Sequence, residues 1–192
     1  FGHVELGTVT AIAQEANPPP NLFRLPDDGA LINRLGFPNR GAAHLARRLA
    51  GRRFGAPVGV SIGKSRVVPV EDEARVVADY RESFRVVRDV ADFVVVNVSS
   101  PNTPNLRAMQ RKEAATALLS ALAQDRDDAA ARAPVPLLLK VAPDLDDEAY
   151  DALLEVVRDV GLAGVVATNT TIRRDGLRTP AARIEQIGAG GL

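Results

Sequence analysis

The sequence predicts an α/β protein built on a parallel sheet, specifically a (β/α)8 barrel of which about five of the eight strands are present. Short runs rich in β-branched residues alternate with amphipathic segments of helical period, as in strand–helix–strand units. Several of these runs are continuously apolar, which is typical of strands covered on both faces. Polar residues follow the runs at their carboxyl ends, and in a barrel these ends form one rim.

The predicted strands occupy residues 4–10, 58–62, 93–98, 136–141 and 164–168. Such a series fits either a barrel or an open doubly wound sheet. No G-x-G-x-x-G motif follows any of these strands, which weakens the dinucleotide-binding form of the open sheet. A complete barrel would need sequence beyond both ends of the chain.

Four helices are predicted between the strands. Residues 39–53 are rich in Ala and Arg, and residues 106–124 are rich in Ala and Leu. Acidic runs after Pro69 and from Asp144 predict two further helix starts, because carboxylates favour the amino-terminal end of the helix dipole. In the first of these, Glu71, Asp72 and Glu73 precede an apolar face formed by Val77, Tyr80, Phe84, Val87 and Val90. In the second, Asp144, Asp146 and Asp147 precede an apolar face formed by Tyr150, Leu153, Val157 and Val160.

Composition narrows the classes of function. The 192 residues contain 24 basic and 24 acidic side chains, so no strong charge indicates binding to nucleic acid. The absence of Cys excludes disulfides and thiolate chemistry, and two isolated His residues make a metal site unexpected. No targeting signal and no run long enough to span a membrane is visible.

The ends of the chain predict a partial domain. The chain begins without Met on an apparent strand and stops within the glycine-rich segment Gly188–Leu192. We therefore expect residues 1–192 to be one incomplete barrel domain, truncated at both ends.

The loop from Asn97 to Pro104 carries the most informative cluster of polar residues. Pro101 and Pro104 disfavour helical geometry at Ser100 and Thr103, so the loop is expected to be stiff. Rigid loops at strand ends are where α/β proteins place their chemistry. Taken alone, Ser-Ser-Pro is more typical of an ordinary turn.

The other strand ends extend this polar rim. Asn33, Asn97, Asn102 and Asn169 can each donate and accept hydrogen bonds, which suits a flat, neutral, amide-rich ring. Lys140 could stabilise negative charge on a cofactor as it is reduced, or could extend from the core as a structural lysine. Ser100 could accept a proton with help from water or a neighbouring hydroxyl.

Several motifs along the whole chain resemble the dihydroorotate dehydrogenase family, specifically the quinone-dependent class 2. They are Glu5-Leu6-Gly7-Thr8-Val9-Thr10, Leu22-Phe23-Arg24-Leu25, Ile32-Asn33-Arg34-Leu35-Gly36-Phe37, Ser61-Ile62-Gly63-Lys64, Asn97 through Pro104, Lys140-Val141-Ala142-Pro143-Asp144-Leu145 and Ala167-Thr168-Asn169-Thr170-Thr171. The Ser-Ser-Pro-Asn-Thr-Pro and Ala-Thr-Asn-Thr-Thr blocks are highly specific in combination.

The resemblance implies an FMN-binding barrel that oxidises dihydroorotate to orotate in pyrimidine synthesis, with a quinone as the final electron acceptor. It implies a base that removes the C5 proton while C6 passes a hydride to FMN. Ser100 matches that base, and sister classes use Cys there. Substrate-binding positions match Asn33, Arg34, Leu35, Gly36, Phe37, Asn97, Asn102, Asn169 and Thr170; FMN-binding positions match Thr8, Ser61, Asn97, Lys140 and Thr168.

The resemblance also implies features that these residues do not supply. Ser61 and Pro38 stand where the family usually has Asn. A lysine on the first barrel strand, the glycine-rich FMN phosphate loops and an amino-terminal membrane-docking segment are expected outside this chain. That segment would make the protein peripheral on the cytoplasmic side of the cell membrane.

Two alternatives remain from the sequence. The chain could be an inactive barrel remnant, because an open sheet exposes its edges and core. It could instead come from another FMN barrel acting on a pyrimidine, such as an enzyme forming dihydrouridine in RNA, although neutrality and the lack of Cys argue against this.

Overall fold

A five-stranded parallel sheet forms the centre of the chain in a computed structural model that describes residues 2–103, 105–128 and 134–192. Phe1 and Pro104 of the predicted elements therefore lie outside the described residues. The strand order is β1 (Val4–Val9), β4 (Val58–Ile62), β5 (Phe93–Asn97), β6 (Leu137–Val141) and β7 (Gly164–Ala167). All four pairings are parallel, which confirms the predicted α/β class and all five strand segments.

Helices separate the strands of the sheet. They are α1 (Ala42–Leu49), α2 (Glu73–Val87), α3 (Lys112–Asp127) and α4 (Asp147–Asp159), followed by a further helix, α5 (Ala181–Ile187). The acidic starts are confirmed in part, because Asp72 caps α2 and Asp146 caps α4 through side-chain hydrogen bonds. Asp144 precedes its helix and has a different role, described below.

Two predicted helices have different bounds. The first is shorter than residues 39–53 and covers only Ala42–Leu49. The prediction of one helix over residues 106–124 was wrong, since Leu106–Gln110 form a 3-10 helix and α3 begins at Lys112. The backbone of Arg111 is extended between them, so the Ala- and Leu-rich composition continues while the helix does not.

An antiparallel hairpin and α5 were not predicted. The hairpin joins β2 (Leu22–Leu25) to β3 (Ala30–Asn33), and each strand has only four residues, too few for a clear alternation. Leu25 and Ile32 pack with Ile187 of α5 in a small second core. Asp28 accepts hydrogen bonds from the backbone and hydroxyl of Thr179, so the hairpin is anchored to the segment before α5.

The main core lies between the sheet and the helices. All residues of β4 are buried, and α2 covers the sheet with Val76, Tyr80, Phe84 and Val87, each fully buried. The buried face of α2 differs from the predicted one at its first position, because Val76 is buried whereas the predicted Val77 is only half-buried. Burying a side chain such as Phe84 contributes about 1.5–3 kcal/mol. Among the described residues, no helix is both long and apolar enough to cross a bilayer.

Candidate active site

The carboxyl ends of the sheet strands surround one cavity of about 320 Å³. The strand register sets this arrangement, since Asn97 at the end of β5 pairs with Lys140 of β6. The cavity is lined by Glu5, Gly7, Thr8, Asn33, Leu35, Gly36, Phe37, Pro38, Asn97, Ser100, Asn102, Lys140, Asn169 and Thr170. Most of the rim residues expected from the sequence therefore face a common space.

A chain of hydroxyl and amide groups crosses the cavity floor. Asn97 donates from Nδ2 to Thr8 Oγ1 at 2.9 Å, and the hydroxyls of Thr8 and Ser61 lie 3.0 Å apart. Tyr80 donates its hydroxyl to the Asn97 carbonyl at 2.8 Å. Burial raises the pKa of Tyr80, so this donor keeps its proton. The end of β5 is therefore held from both the core and the cavity sides.

The Asn97 amide also orders the opposite wall. Its Oδ1 accepts hydrogen bonds from Ser99 Oγ at 3.1 Å and from Asn169 Nδ2 at 3.2 Å. Asn169 donates as well to Ser99 Oγ at 3.0 Å, and its own Oδ1 accepts from the Thr170 backbone at 2.8 Å. These contacts join the loops that follow β5 and β7 and fix which face each amide presents.

Ser100 sits in a buried part of the loop after β5. Only 3% of the residue is exposed, and its Oγ accepts a hydrogen bond from the Asn102 backbone at 3.2 Å. Asn102 donates from Nδ2 to Asn33 Oδ1 at 3.2 Å. Asn33 is in turn paired through its backbone with Gly191, at 2.9 and 2.8 Å. Ser100 therefore lines the cavity from a loop that Asn102 and Asn33 connect to the hairpin and to the glycine-rich segment.

The segment after the hairpin forms the remaining wall. Gly36 has φ +76° and Phe37 has φ +55°, conformations that turn the backbone of Leu35 through Pro38 along the cavity. Gln14 supports the turn by donating to the Gly36 carbonyl at 2.7 Å.

Lys140 carries the positive charge of the cavity lining. Its Nζ donates to Glu5 Oε1 at 3.1 Å, and the two side chains are 21% and 27% exposed. The predicted cation is therefore present and partly neutralised by a carboxylate that the sequence did not single out.

Arg107 and Asp144 form an ion pair behind the cavity. Arg107 Nη1 lies 2.8 Å from Asp144 Oδ2, and Asp144 also accepts hydrogen bonds from the Thr171 hydroxyl and the Ile172 backbone. Burial raises the pKa of Asp144, but the hydrogen bonds from Thr171 and Ile172 and the Arg107 guanidinium outweigh this effect and lower the pKa. Asp144 is therefore a charged loop anchor, not a helix cap as the acidic run suggested.

Three of the expected site residues do not line the cavity. Ser61 is fully buried behind Thr8, and Thr168 is exposed and donates to the Asn169 carbonyl. Arg34 points away, donates to the carbonyls of Ile187 and Ala189, and lies 4.6 Å from the Phe23 ring centroid. Arg34 therefore supports the wall from outside.

Sequence analysis assigned no site role to Glu5, Gly7 or Arg107, although Glu5 and Gly7 lie in one of the family motifs. Glu5 could have been found from its place on a predicted strand, two residues before Gly7. Arg107 carried no such signal, because one arginine in an Ala- and Leu-rich segment resembles any solvent-exposed position.

The chemistry of the donors suits a flavin ring. The lining offers neutral amides and hydroxyls together with the Lys140–Glu5 ion pair, and a flavin ring is planar, neutral when oxidised and rich in amide groups. In the described ranges, no three His, Asp or Glu side chains come together in a way that could hold a metal ion.

Comparison with known proteins places the chain among close relatives. The family model described as dihydroorotate dehydrogenase matches residues 1–192. A "Dihydroorotate dehydrogenase (quinone)" from Nocardioides sp. is 53% identical over 201 residues, covering 100% of the chain and 56% of the relative. One of the same name from Rhodococcus erythropolis is 53% identical over 192 residues, covering 100% of the chain and 51% of the relative.

A solved structure has the same fold. The crystal structure of an Eimeria tenella dihydroorotate dehydrogenase in complex with ferulenol superposes with a TM-score of 0.84 at 31% identity, covering 100% of the chain and 55% of that structure. The chain thus spans about half the length of the relatives that it matches.

Proposed function

This chain belongs to the dihydroorotate dehydrogenase family, and on that premise we propose that the full-length protein oxidises dihydroorotate to orotate in pyrimidine synthesis. The observation that carries the proposal is the common cavity of Ser100, Lys140 and the four amides of Asn33, Asn97, Asn102 and Asn169. The names of these relatives support a quinone as the final electron acceptor.

FMN is the cofactor that we propose for this cavity. Bound FMN would supply the hydride acceptor for the reaction. Thr8 and Asn97 would hold the ring through their hydroxyl and amide groups, and Ser61 would act through Thr8, whose Oγ1 lies 3.0 Å from the Ser61 hydroxyl. Lys140 would stabilise negative charge that develops on the ring. Thr168 would contribute at the rim, where it is exposed.

The substrate would bind against the amide-rich wall. A dihydropyrimidine presents alternating N–H and C=O groups, which the amides of Asn33, Asn102 and Asn169 complement because each has a donor and an acceptor. Thr170, Leu35, Gly36 and Phe37 complete this side of the cavity. Arg34 would keep the Asn33 segment in place from behind, through its hydrogen bonds to the carbonyls of Ile187 and Ala189.

Ser100 is the group that we propose as the base. Ser100 lines the cavity and is only 3% exposed, so a proton taken from substrate C5 would enter a site with little bulk water. A serine hydroxyl is a weak base, so as it takes the C5 proton it must pass its own proton to water or to a neighbouring hydroxyl. The Asn102 backbone, which donates to Ser100 Oγ at 3.2 Å, orients the hydroxyl without removing its proton.

Quinone dependence suggests a membrane-associated protein. We propose a peripheral contact through sequence other than these 192 residues, on the cytoplasmic side, and no role for nucleic acid.

The test uses the full-length protein. It should purify with bound FMN, shown by its visible absorbance, and should reduce a quinone analogue when dihydroorotate is added. A colourless protein, or one that is not reduced by dihydroorotate, would refute the proposal. Reduction of uridine-containing RNA instead would favour the other pyrimidine barrel. The 192-residue chain alone should bind FMN poorly or aggregate if the rest of the full-length protein is required for the fold.

A further inference from the structure

Arg107 makes contacts with three loops at the carboxyl edge of the sheet. Its Nε donates to the Ser99 carbonyl at 3.1 Å, Nη1 to Asp144 Oδ2 at 2.8 Å, and Nη2 to the Thr170 carbonyl at 3.0 Å. These acceptors follow β5, β6 and β7 respectively. One side chain therefore joins loops from three neighbouring strands.

Asp144 connects the Arg107 guanidinium to the loop that follows β7. It is 10% exposed and receives the Thr171 hydroxyl and the Ile172 backbone in addition to Arg107. A planar guanidinium presents five donors in a fixed fork, so the carboxylate and both carbonyls are held at set angles. The loop after β7, with Asn169 and Thr170, is thereby tied to the loop after β5.

We propose that Arg107 is the positioning residue for Ser100, an inference that rests on the proposed function. The Ser99 carbonyl belongs to the peptide that leads directly into Ser100, so fixing its direction fixes where the Ser100 hydroxyl points. Arg107 does not line the cavity and moves no proton. It acts through Ser100, and its hydrogen bond to the Thr170 carbonyl holds the peptide before Ser100 against the loop that follows β7.

Replacement of Arg107 is expected to slow the chemistry more than it weakens binding of FMN. In Arg107→Gln, flavin reduction at saturating dihydroorotate should fall by about tenfold to a hundredfold, the usual cost of a small misplacement of a reacting group. Arg107→Lys should recover only part of the rate, because one ammonium cannot hold three acceptors. Arg111→Gln is the matched control, since Arg111 is exposed and its side chain donates to the carbonyl of nearby Ala108 at 3.3 Å, with no other side-chain partner in the described part of the chain.

A double-mutant cycle separates positioning from general damage. If Arg107 acts through Ser100, adding Arg107→Gln to Ser100→Ala should change the remaining rate by less than about twofold. If the two effects multiply, or if Arg107→Gln alone leaves the rate unchanged, the proposal is overturned. If Arg107→Gln fails to fold, the same cycle is measured by combining Arg107→Lys or Asp144→Asn with Ser100→Ala.

Hydrogen exchange gives a result that does not depend on the reaction. In Arg107→Gln, peptides covering residues 98–103 and 168–172 should exchange faster by about tenfold or more, whereas Arg111→Gln should match the unmodified protein. Unchanged exchange in both peptides would overturn the proposal even in an active enzyme. A protein that is not reduced by dihydroorotate, yet shows this change, would refute the proposed function and leave the positioning of the loop intact.

Discussion

Lys140 donates to Glu5 at 3.1 Å although two strands, β4 and β5, lie between their own strands. Neighbouring strands are about 4.8 Å apart, so a flat sheet would separate β1 from β6 by about 14 Å. Side chains stand roughly perpendicular to a sheet, and their tips would then remain far apart. The ion pair therefore indicates that the sheet is strongly curved and that Lys140 lies on its concave side. Such curvature is expected for consecutive strands of a barrel.

Removal of the Lys140 charge should weaken cofactor binding. Lys140→Met is expected to lower FMN affinity by about tenfold to a hundredfold, because a hydrogen bond to a charged group contributes about 1.5–3 kcal/mol. Titration of the apoprotein with FMN, followed by flavin fluorescence, measures this. Lys112→Met is the control, since Lys112 is half exposed and pairs with Glu155 on the surface. Equal affinities for the two variants would contradict a role for Lys140.

Loss of the Ser100 hydroxyl should affect proton removal and spare the cofactor. Ser100→Ala is expected to keep FMN bound while flavin reduction by dihydroorotate slows by about 10²- to 10⁴-fold, the range for general-base catalysis. Stopped-flow absorbance at saturating substrate gives the rate. Ser120→Ala on the exposed surface of α3 should behave like the unmodified protein. A normal rate in Ser100→Ala would exclude Ser100 as the base.

A side chain at Gly191 should displace Thr170, which lines the proposed substrate site. A Cβ there would lie 2.0 Å from Thr170 Oγ1 and 3.2 Å from Pro101 Cγ, so Thr170 must move. We expect Gly191→Ala to weaken orotate binding by about tenfold, consistent with the cost of overpacking. Equilibrium titration with orotate measures the change. Gly55→Ala, where nothing lies within 4 Å of the added Cβ, should bind normally; equal binding by both variants would argue against this wall as the substrate site.

Asp125 should stabilise the contact between α2 and α3 in a pH-dependent way. Hydrogen bonds from Arg81 and then Arg85, opposed by burial, lower the pKa of Asp125 from 3.8 to about 2. The folded state therefore favours the carboxylate, and this stabilisation is complete above pH 3.8 and lost as the pH falls toward 2. Because the two arginines are 32% and 52% exposed, we expect Asp125→Asn to cost about 1–2 kcal/mol at neutral pH.

Denaturant unfolding at several pH values tests this expectation. The difference in free energy of unfolding between the unmodified protein and Asp125→Asn should shrink as the pH approaches 2. Asp127→Asn is the control, because the Asp127 side chain is 58% exposed and, among the described residues, pairs with its neighbour Arg126. A constant difference across this pH range would show that the arginine contacts are not its source.

Local patterns determined the sheet strands from sequence alone. Short runs rich in β-branched residues, several of them continuously apolar, identified all five, and the acidic runs before α2 and α4 identified their starts through Asp72 and Asp146. These features depend on interactions between residues that are close in sequence, so they can be predicted without knowing the tertiary contacts. The polar residues at the strand ends followed from the same argument, because parallel strands bring their carboxyl ends to one edge.

Only the tertiary structure decided which side chains meet. Arg34 resembled a site residue by position but turns to the carbonyls near α5, whereas Glu5, 135 positions from Lys140, enters the cavity. Arg107 and Asp144 were indistinguishable in sequence from a helix-surface arginine and a capping acid. Such partners are set by the register and curvature of the sheet, which arise from packing between distant segments and leave no local periodicity to detect.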